Sequence, residues 1–145
     1  MRTVIEKVIF LQDVDVFSEV PTEQLAYLAA IAREVRFDAD EVIYREEAAS
    51  DAMFLVIDGE VRLQRGGTPV TTAGPRSAFG TWALFDDEPR VATATAAEPT
   101  EALRISRADF LDVLADNVRV TEGVLKAIVR RLRALGRAVR GPAAG

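Results

Sequence analysis

The middle of the chain is punctuated at short, regular intervals, and this limits what it can fold into. From Arg33 to Ser106, short runs rich in Val, Ile, Phe and Tyr are broken by Asp38-Ala39-Asp40, Asp58-Gly59, Gly66-Gly67 and Gly74-Pro75. β-branched and aromatic residues favour strands, and Gly, Pro and Asp mark the turns between them. Turn signals spaced roughly eight to twelve residues apart are what an antiparallel barrel or jelly roll produces. The Asp58-Gly59 pair, set between MFLVI and EVRLQ, is the strongest hairpin signal. Strands resume at VATATAA and EALRIS, giving a roll of roughly seven or eight strands.

On either side the apolar period becomes helical. Val4, Ile5, Val8, Ile9 and Leu11 recur at helical spacing. A second helix is expected to start near Pro21-Thr22, with Thr22 as a cap and Leu25, Leu28, Ala29 and Ala32 as its apolar face. After the roll, Ser106 reads as an N-cap with Asp109 three residues on, and Phe110, Leu111 and Leu114 as the buried face. In the last helix, Leu125, Ile128, Leu132, Leu135 and Val139 alternate in steps of three and four, the spacing of a coiled-coil seam. The chain therefore reads as mainly β with flanking α, a single domain over residues 1–140. N-terminal helices occupy 1–32, an antiparallel β-roll (a jelly-roll-like barrel) 33–106, C-terminal helices 107–139, and a flexible tail 141–145.

Composition narrows the chemistry. There is no Cys and no His among the 145 residues, so thiolate nucleophiles, imidazole bases, zinc sites of the usual kinds and disulfides are absent. With no nucleophile–base pair in view, the expectation is a protein that is not an enzyme. Asp86, Asp87 and Glu88 lack the glycine and alternating ligand spacing of a hard-cation loop and read as a solvated acidic loop. No apolar run is long enough to span a membrane, and the N-terminus lacks the features of a signal peptide, so a cytoplasmic location is expected. Residues 1–118 hold 11 basic and 22 acidic side chains, whereas residues 119–145 hold 7 and 1. An acidic body is a poor platform for a phosphodiester backbone. The basic face of Lys126, Arg130, Arg131, Arg133, Arg137 and Arg140 reads as the flank of a helix that pairs with this body or with a second subunit.

The stretch FGTWALFDDEPRVATATA, residues 79–96, interrupts the strands with a single helical turn. Gly80 permits close backbone approach, the short helix around Ala83 and Leu84 aims its amides at an anion, and Arg90 offers a bidentate fork for phosphate oxygens. The alternative for Arg90 is an ion pair with Asp86, Asp87 or Glu88. The small residues Ala92, Ala94 and Ala96 leave room for a ligand over the strand.

Phe79, Gly80, Ala83, Leu84, Pro89, Arg90 and Ala92 stand at the spacings of a phosphate-binding cassette, and in this the chain resembles the cyclic nucleotide-binding domain family. That family includes the sensor halves of catabolite activator protein and the regulatory subunit of cyclic-AMP-dependent kinase. The resemblance also covers the roll, with Gly59 in the family's glycine position. It implies a ligand site over residues 79–92, made of Phe79, Gly80, Thr81, Trp82, Ala83, Leu84, Pro89, Arg90, Val91 and Ala92. It further implies a cyclic nucleotide as ligand, with no covalent cofactor and no metal.

Departures from the family pattern qualify this. Thr81 stands where nucleotide-binding members carry a Glu that accepts the ribose 2'-hydroxyl, and losing a charge-assisted hydrogen bond costs about 1.5–3 kcal/mol, roughly tenfold to over a hundredfold in affinity. Trp82 replaces a medium aliphatic residue, and its indole packs into the core or leans into the pocket. Val91 stands where cyclic-GMP-selective members often have Thr, which favours cyclic AMP. Leu135 and Gly136 align where some bacterial members place hydroxyls against the base, implying an apolar lid. Glu47 and Ala48 replace a Gly-Asp pair, implying a remodelled turn. Two readings stay open: a sensor that relays nucleotide binding through its C-terminal helix, or a roll that has given up its ligand and serves as a dimerisation or docking module. In either, residues 119–139 are the expected contact with a second copy or a partner protein. With the sequence ending at Gly145 there is no helix-turn-helix module after that helix, so direct DNA binding is not expected.

Overall fold

The computed structural model describes residues 2–140. Helices α1 (Val4–Leu11) and α2 (Thr22–Ile31), separated by a 3-10 turn at Asp15–Phe17, precede strands β1 (Arg33–Phe37), β2 (Val42–Tyr44), β3 (Ala52–Asp58), β4 (Val61–Arg65), β5 (Thr68–Ala73) and β6 (Ala78–Phe79). A one-turn 3-10 helix, Thr81–Leu84, lies between β6 and the last strands, β7 (Thr93–Ala96) and β8 (Thr100–Ser106). Helices α3 (Arg107–Asp116) and α4 (Val118–Arg140) follow.

The strands form two four-stranded antiparallel sheets, ordered β1-β8-β3-β6 and β2-β7-β4-β5, so the roll is two facing sheets and not a closed barrel. Their inner faces enclose Phe54, Val56, Val61, Phe79 and Ala94, with the Phe54 and Phe79 rings stacked at 5.2 Å. The outer face of the first sheet carries Met53, Leu55, Ile57, Leu103 and Ile105 into a second core, shared with Leu11, Phe17, Leu25, Leu28 and Phe110 of the helical layer. Strand β3 is thus covered on both faces. That is why its sequence is an unbroken apolar run instead of an alternation. Gly66 and Gly67, both at positive φ, turn β4 into β5 in a two-residue hairpin.

The helical expectations hold with corrections. Helix α1 buries Leu11 but leaves Val4, Ile5 and Ile9 about half exposed or more, because its contacts come from one narrow side against α2. Thr22 does not cap α2; the cap position is Pro21, and the Thr22 hydroxyl instead accepts a hydrogen bond from Gln12 Nε2. Ser106 caps α3 by accepting from the Asp109 amide at 3.2 Å. Leu111 is exposed, and Val113, one turn from Phe110, takes the buried position expected of it.

Helix α4 differs most. The residues that pack on the body are Val120, Val124 and Ala127, whereas Leu125, Leu132 and Leu135 of the expected seam are more than half exposed. Ile128 is half-buried at the edge, and the side chain of Val139, like the tail 141–145, lies outside the described residues. The close approach depends on Gly123: a methyl group there would stand 2.7 Å from Val20 Cα and 2.8 Å from the Glu19 carbonyl. The basic flank pairs with the acidic body, as Arg130 meets Glu19 at 2.8 Å and Arg131 meets Asp15 at 2.7 Å.

Two glycines of α4 should therefore respond oppositely to alanine. Gly123→Ala should destabilise the protein by about 1 kcal/mol or more, because overpacking against backbone outweighs alanine's helix propensity. Gly136→Ala, whose methyl would have nothing within 4 Å, should stabilise it by up to about 1 kcal/mol. Thermal unfolding of the two variants checks the signs.

Candidate functional site

The turn between β2 and β3 sets the position of Arg90. Glu47 adopts φ +70, a left-handed conformation that favours glycine, and thereby presents its amide to the Arg90 carbonyl at 2.8 Å. The Arg90 amide returns to the Ala48 carbonyl at 2.9 Å, and Ser50 Oγ donates to the Glu88 carbonyl at 2.8 Å. The remodelled Glu47-Ala48 turn thus keeps the backbone shape of a glycine turn and clamps residues 88–90 across the sheet.

Held in this way, the Arg90 side chain runs inward and is only 7% exposed. Its Nη2 donates to the Ala52 carbonyl at 2.6 Å and Nη1 reaches the Gly80 carbonyl at 3.4 Å. The guanidinium lies 3.9 Å from the centroid of the Tyr44 ring, while Nε has no partner. Among the described residues no carboxylate forms an ion pair with it, so the expected alternative of a bridge to Asp86, Asp87 or Glu88 is not what the structure adopts. Burial pulls its pKa below the ordinary arginine range, and burial also raises that of Tyr44. Gly80, at φ +68, makes this seat possible, since a Cβ there would fall 2.5 Å from Arg90 Nη1.

The 3-10 helix Thr81–Leu84 starts directly after Gly80. The first amides of a helix lack intrahelical acceptors, so those of Thr81 and Trp82 are available at the end nearest Arg90. The opposite end is held by Arg107, whose Nη1 lies 2.9 Å from the Ser50 carbonyl, 3.0 Å from Ala83 and 2.6 Å from Asp86. A cation there complements the negative end of the turn. Over these groups opens a cavity of about 510 Å³, within the size range of small-molecule sites. Arg90, Gly80 and Thr81 line it together with apolar walls from Tyr44, Leu63, Val70 and Trp82. A buried cation, free amides and a mostly apolar surround can hold a small anion that carries a flat or apolar body.

Residues 34–117 match the cyclic nucleotide-binding domain family. The chain belongs to that family. It is 27% identical over 123 residues to a CRP-like cAMP-activated global transcriptional regulator of Mycobacterium tuberculosis, covering 81% of this chain and 55% of the relative. It is 36% identical over 96 residues to the cyclic AMP receptor protein of Thermus thermophilus, covering 63% of this chain and 44% of the relative. The chain thus spans about half the length of these relatives. In three dimensions it is similar to the N-terminal domain of a transcriptional regulator from Streptomyces coelicolor, with a TM-score of 0.84, 29% identity and coverage of 90% of this chain and 94% of that one.

Of the ten cassette residues expected from sequence, the cavity of this cyclic nucleotide-binding domain is lined by Phe79, Gly80, Thr81, Trp82, Ala83, Pro89, Arg90, Val91 and Ala92. Leu84 is the exception: it is fully buried in the core shared with the helices, so it holds the short helix down and faces away from the cavity. Val91 precedes β7 and is 68% exposed at the mouth. Trp82 neither plugs the pocket nor enters the core; it is 48% exposed, tilted against Phe85 at 5.8 Å. Leu135 and Gly136 do not line the cavity, and among the described residues the expected lid over it is not formed. Sequence reading missed Tyr44, Ser50, Leu63, Arg65, Val70 and Ala78 as lining residues, and Asp86 and Glu88 of the acidic loop, expected to be solvated, line the cavity as well. For Tyr44 and Leu63 the signal was there, as each faces inward on a strand adjoining the cassette.

Gly80→Ala should disturb this site before any ligand is considered. Left-handed backbone strain and the collision with Arg90 together should destabilise the protein by about 2 kcal/mol or more. Differential scanning calorimetry should record a Tm lower by roughly 4–8 °C.

Proposed function

We propose that this chain is a non-enzymatic sensor module that binds a cyclic nucleotide, cyclic AMP ahead of cyclic GMP, and relays binding through its C-terminal helix. The observation that carries this reading is Arg90, a buried cation at the cavity with no carboxylate partner and an unsatisfied Nε. A buried charge left uncompensated is costly, and a phosphate accepting from Arg90 and from the amides that follow Gly80 supplies the missing anion. The apolar walls at Leu63, Val70 and Trp82 suit the face of a base, and Val91 offers no hydroxyl to favour guanine. The competing reading, a roll without a ligand, leaves the buried Nε of Arg90 without a partner.

Isothermal titration with cyclic AMP, cyclic GMP and a cyclic dinucleotide tests the proposal. Binding of cyclic AMP at micromolar concentration or below is expected, and it should disappear in Arg90→Ala. Thr81→Glu, which restores a carboxylate acceptor for the ribose, should tighten binding about tenfold or more. Silence from all three ligands with folded protein would instead leave a docking module.

We further propose that two copies pair through residues 119–139. The support is the stripe of Leu125, Val129, Leu132 and Leu135, which are 57%, 44%, 63% and 55% exposed along a helix whose other face already packs on the body. Apolar residues so spaced are ordinarily covered. Sedimentation equilibrium should give a dimer for the wild-type chain and a monomer for Leu132→Glu, with the melting curve of the body little changed.

A further inference from the structure

The functional reading leaves Trp82 unexplained. Its ring borders the ligand cavity and also a second cleft, of about 360 Å³, lined by Asp13, Asp15, Arg76, Thr81 and Arg131. On that second side the Arg131 guanidinium lies over the indole, 5.1 Å from the ring centroid, while Arg131 Nη1 donates to Asp15 at 2.7 Å. Arg131 does not line the ligand cavity. One side chain therefore forms the wall of the ligand cavity and the platform on which α4 rests.

This contact falls where α4 is least secured. Up to Ile128 the helix is held by buried Val120, Val124 and Ala127, but from Val129 to Ala138 its side chains are exposed. What ties that half to the body is Arg130 on Glu19 and Arg131 on Asp15 and Trp82. Such surface contacts are weak and reversible, which suits a segment that changes state.

We propose that Trp82 couples the ligand cavity to the seating of α4, with Arg131 as the receiving residue. This rests on the proposed ligand site. The turn whose first amides, those of Thr81 and Trp82, lie at the end nearest Arg90 also carries the indole, so movement of that turn onto an anion draws the ring away from Arg131. Ligand and latch then compete, and the coupling is reciprocal. Breaking the latch from the α4 side strengthens ligand binding, and disturbing Trp82 frees the far half of α4.

Amide hydrogen exchange on the full 145-residue chain tests this without ligand. Arg131→Met should speed exchange at Phe85 and Asp86, whose amides bond to the Trp82 carbonyl at 3.0 and 3.2 Å. Trp82→Leu should speed exchange across residues 129–138, each effect being about fivefold or more. With cyclic AMP as the probe, Arg131→Met should bind at least about fivefold more tightly than the wild type. Exchange changes confined to the mutated element, or affinity unchanged or weakened in Arg131→Met, would overturn the coupling. If the wild-type chain binds no cyclic nucleotide, the functional reading fails, and the exchange experiment still decides whether Trp82 and α4 are linked.

Discussion

The seat of the Arg90 guanidinium fixes the geometry of the roll around it. Its contacts come from the Ala52 carbonyl where β3 begins, the Gly80 carbonyl just after β6, and the Tyr44 ring at the end of β2. β3 and β6 belong to one sheet and β2 to the other, so a single cation joins both. These partners offer two carbonyl dipoles and a ring quadrupole but no full negative charge, which holds the guanidinium in place without neutralising it. Two local irregularities follow from that seat. Gly80 must lack a side chain because Nη1 occupies the space, and Glu47 accepts a left-handed backbone because its amide must meet the Arg90 carbonyl. A left-handed residue that is not glycine costs about 1–2 kcal/mol, so this strain is offset by the clamp it completes.

The helical layer divides differently. β3 is buried on both faces, and its outward side chains Met53, Leu55 and Ile57 provide the floor on which α2, α3 and the first half of α4 assemble. Gly123 allows α4 to lie against the 3-10 segment near Val20, and the ion pairs of Arg130 and Arg131 continue that contact about two turns further. Alongside them the helix presents an exposed apolar stripe, Leu125, Val129, Leu132 and Leu135, that no described residue covers. The same helix is thus buried against the body in its first half and exposed in its second.

Much of this was legible in the sequence for identifiable reasons. The β4–β5 hairpin could be placed because its two-residue turn demands Gly66-Gly67 at positive φ. The hairpin expected at Asp58-Gly59 is not formed, since that turn carries the chain from one sheet to the other, β3 pairing with β6 and β8 and β4 with β5 and β7. The cassette could be placed because Gly80, Pro89 and Arg90 each answer a backbone or charge requirement. Helix faces were harder. Leu111 and Val113 are both apolar, and only the position of Phe85 and Phe110 decides which side of α3 is covered. In α4, the larger Leu residues suggested the seam, whereas the packed face uses Val120, Gly123, Val124 and Ala127, whose small size permits the close approach that burial requires. The inward side of Tyr44 and Leu63 was legible from strand alternation, but that β2 and β4 flank the cassette follows from their pairing with β7, which is distant in sequence and which no local pattern encodes.

The two departures at adjacent positions, Thr81 and Trp82, make sense together energetically. A ligand can shift a conformational equilibrium only by its differential affinity for the two states. On the proposed reading, a nucleotide that meets Thr81 in place of the carboxylate expected at that position forgoes a charge-assisted hydrogen bond of about 1.5–3 kcal/mol. A latch made of exposed contacts is correspondingly weak: ion pairs of this kind contribute about 0–1 kcal/mol each, and an exposed cation–π contact about 0.5–1 kcal/mol. A stronger tether, such as a buried hydrophobic seat for the far half of α4, would exceed what a weakened site could move. On the proposed reading, the exposed contact of Arg131 with the half-exposed Trp82 is weak enough to be moved by a cavity that holds its anion through Arg90 without a carboxylate for the ribose.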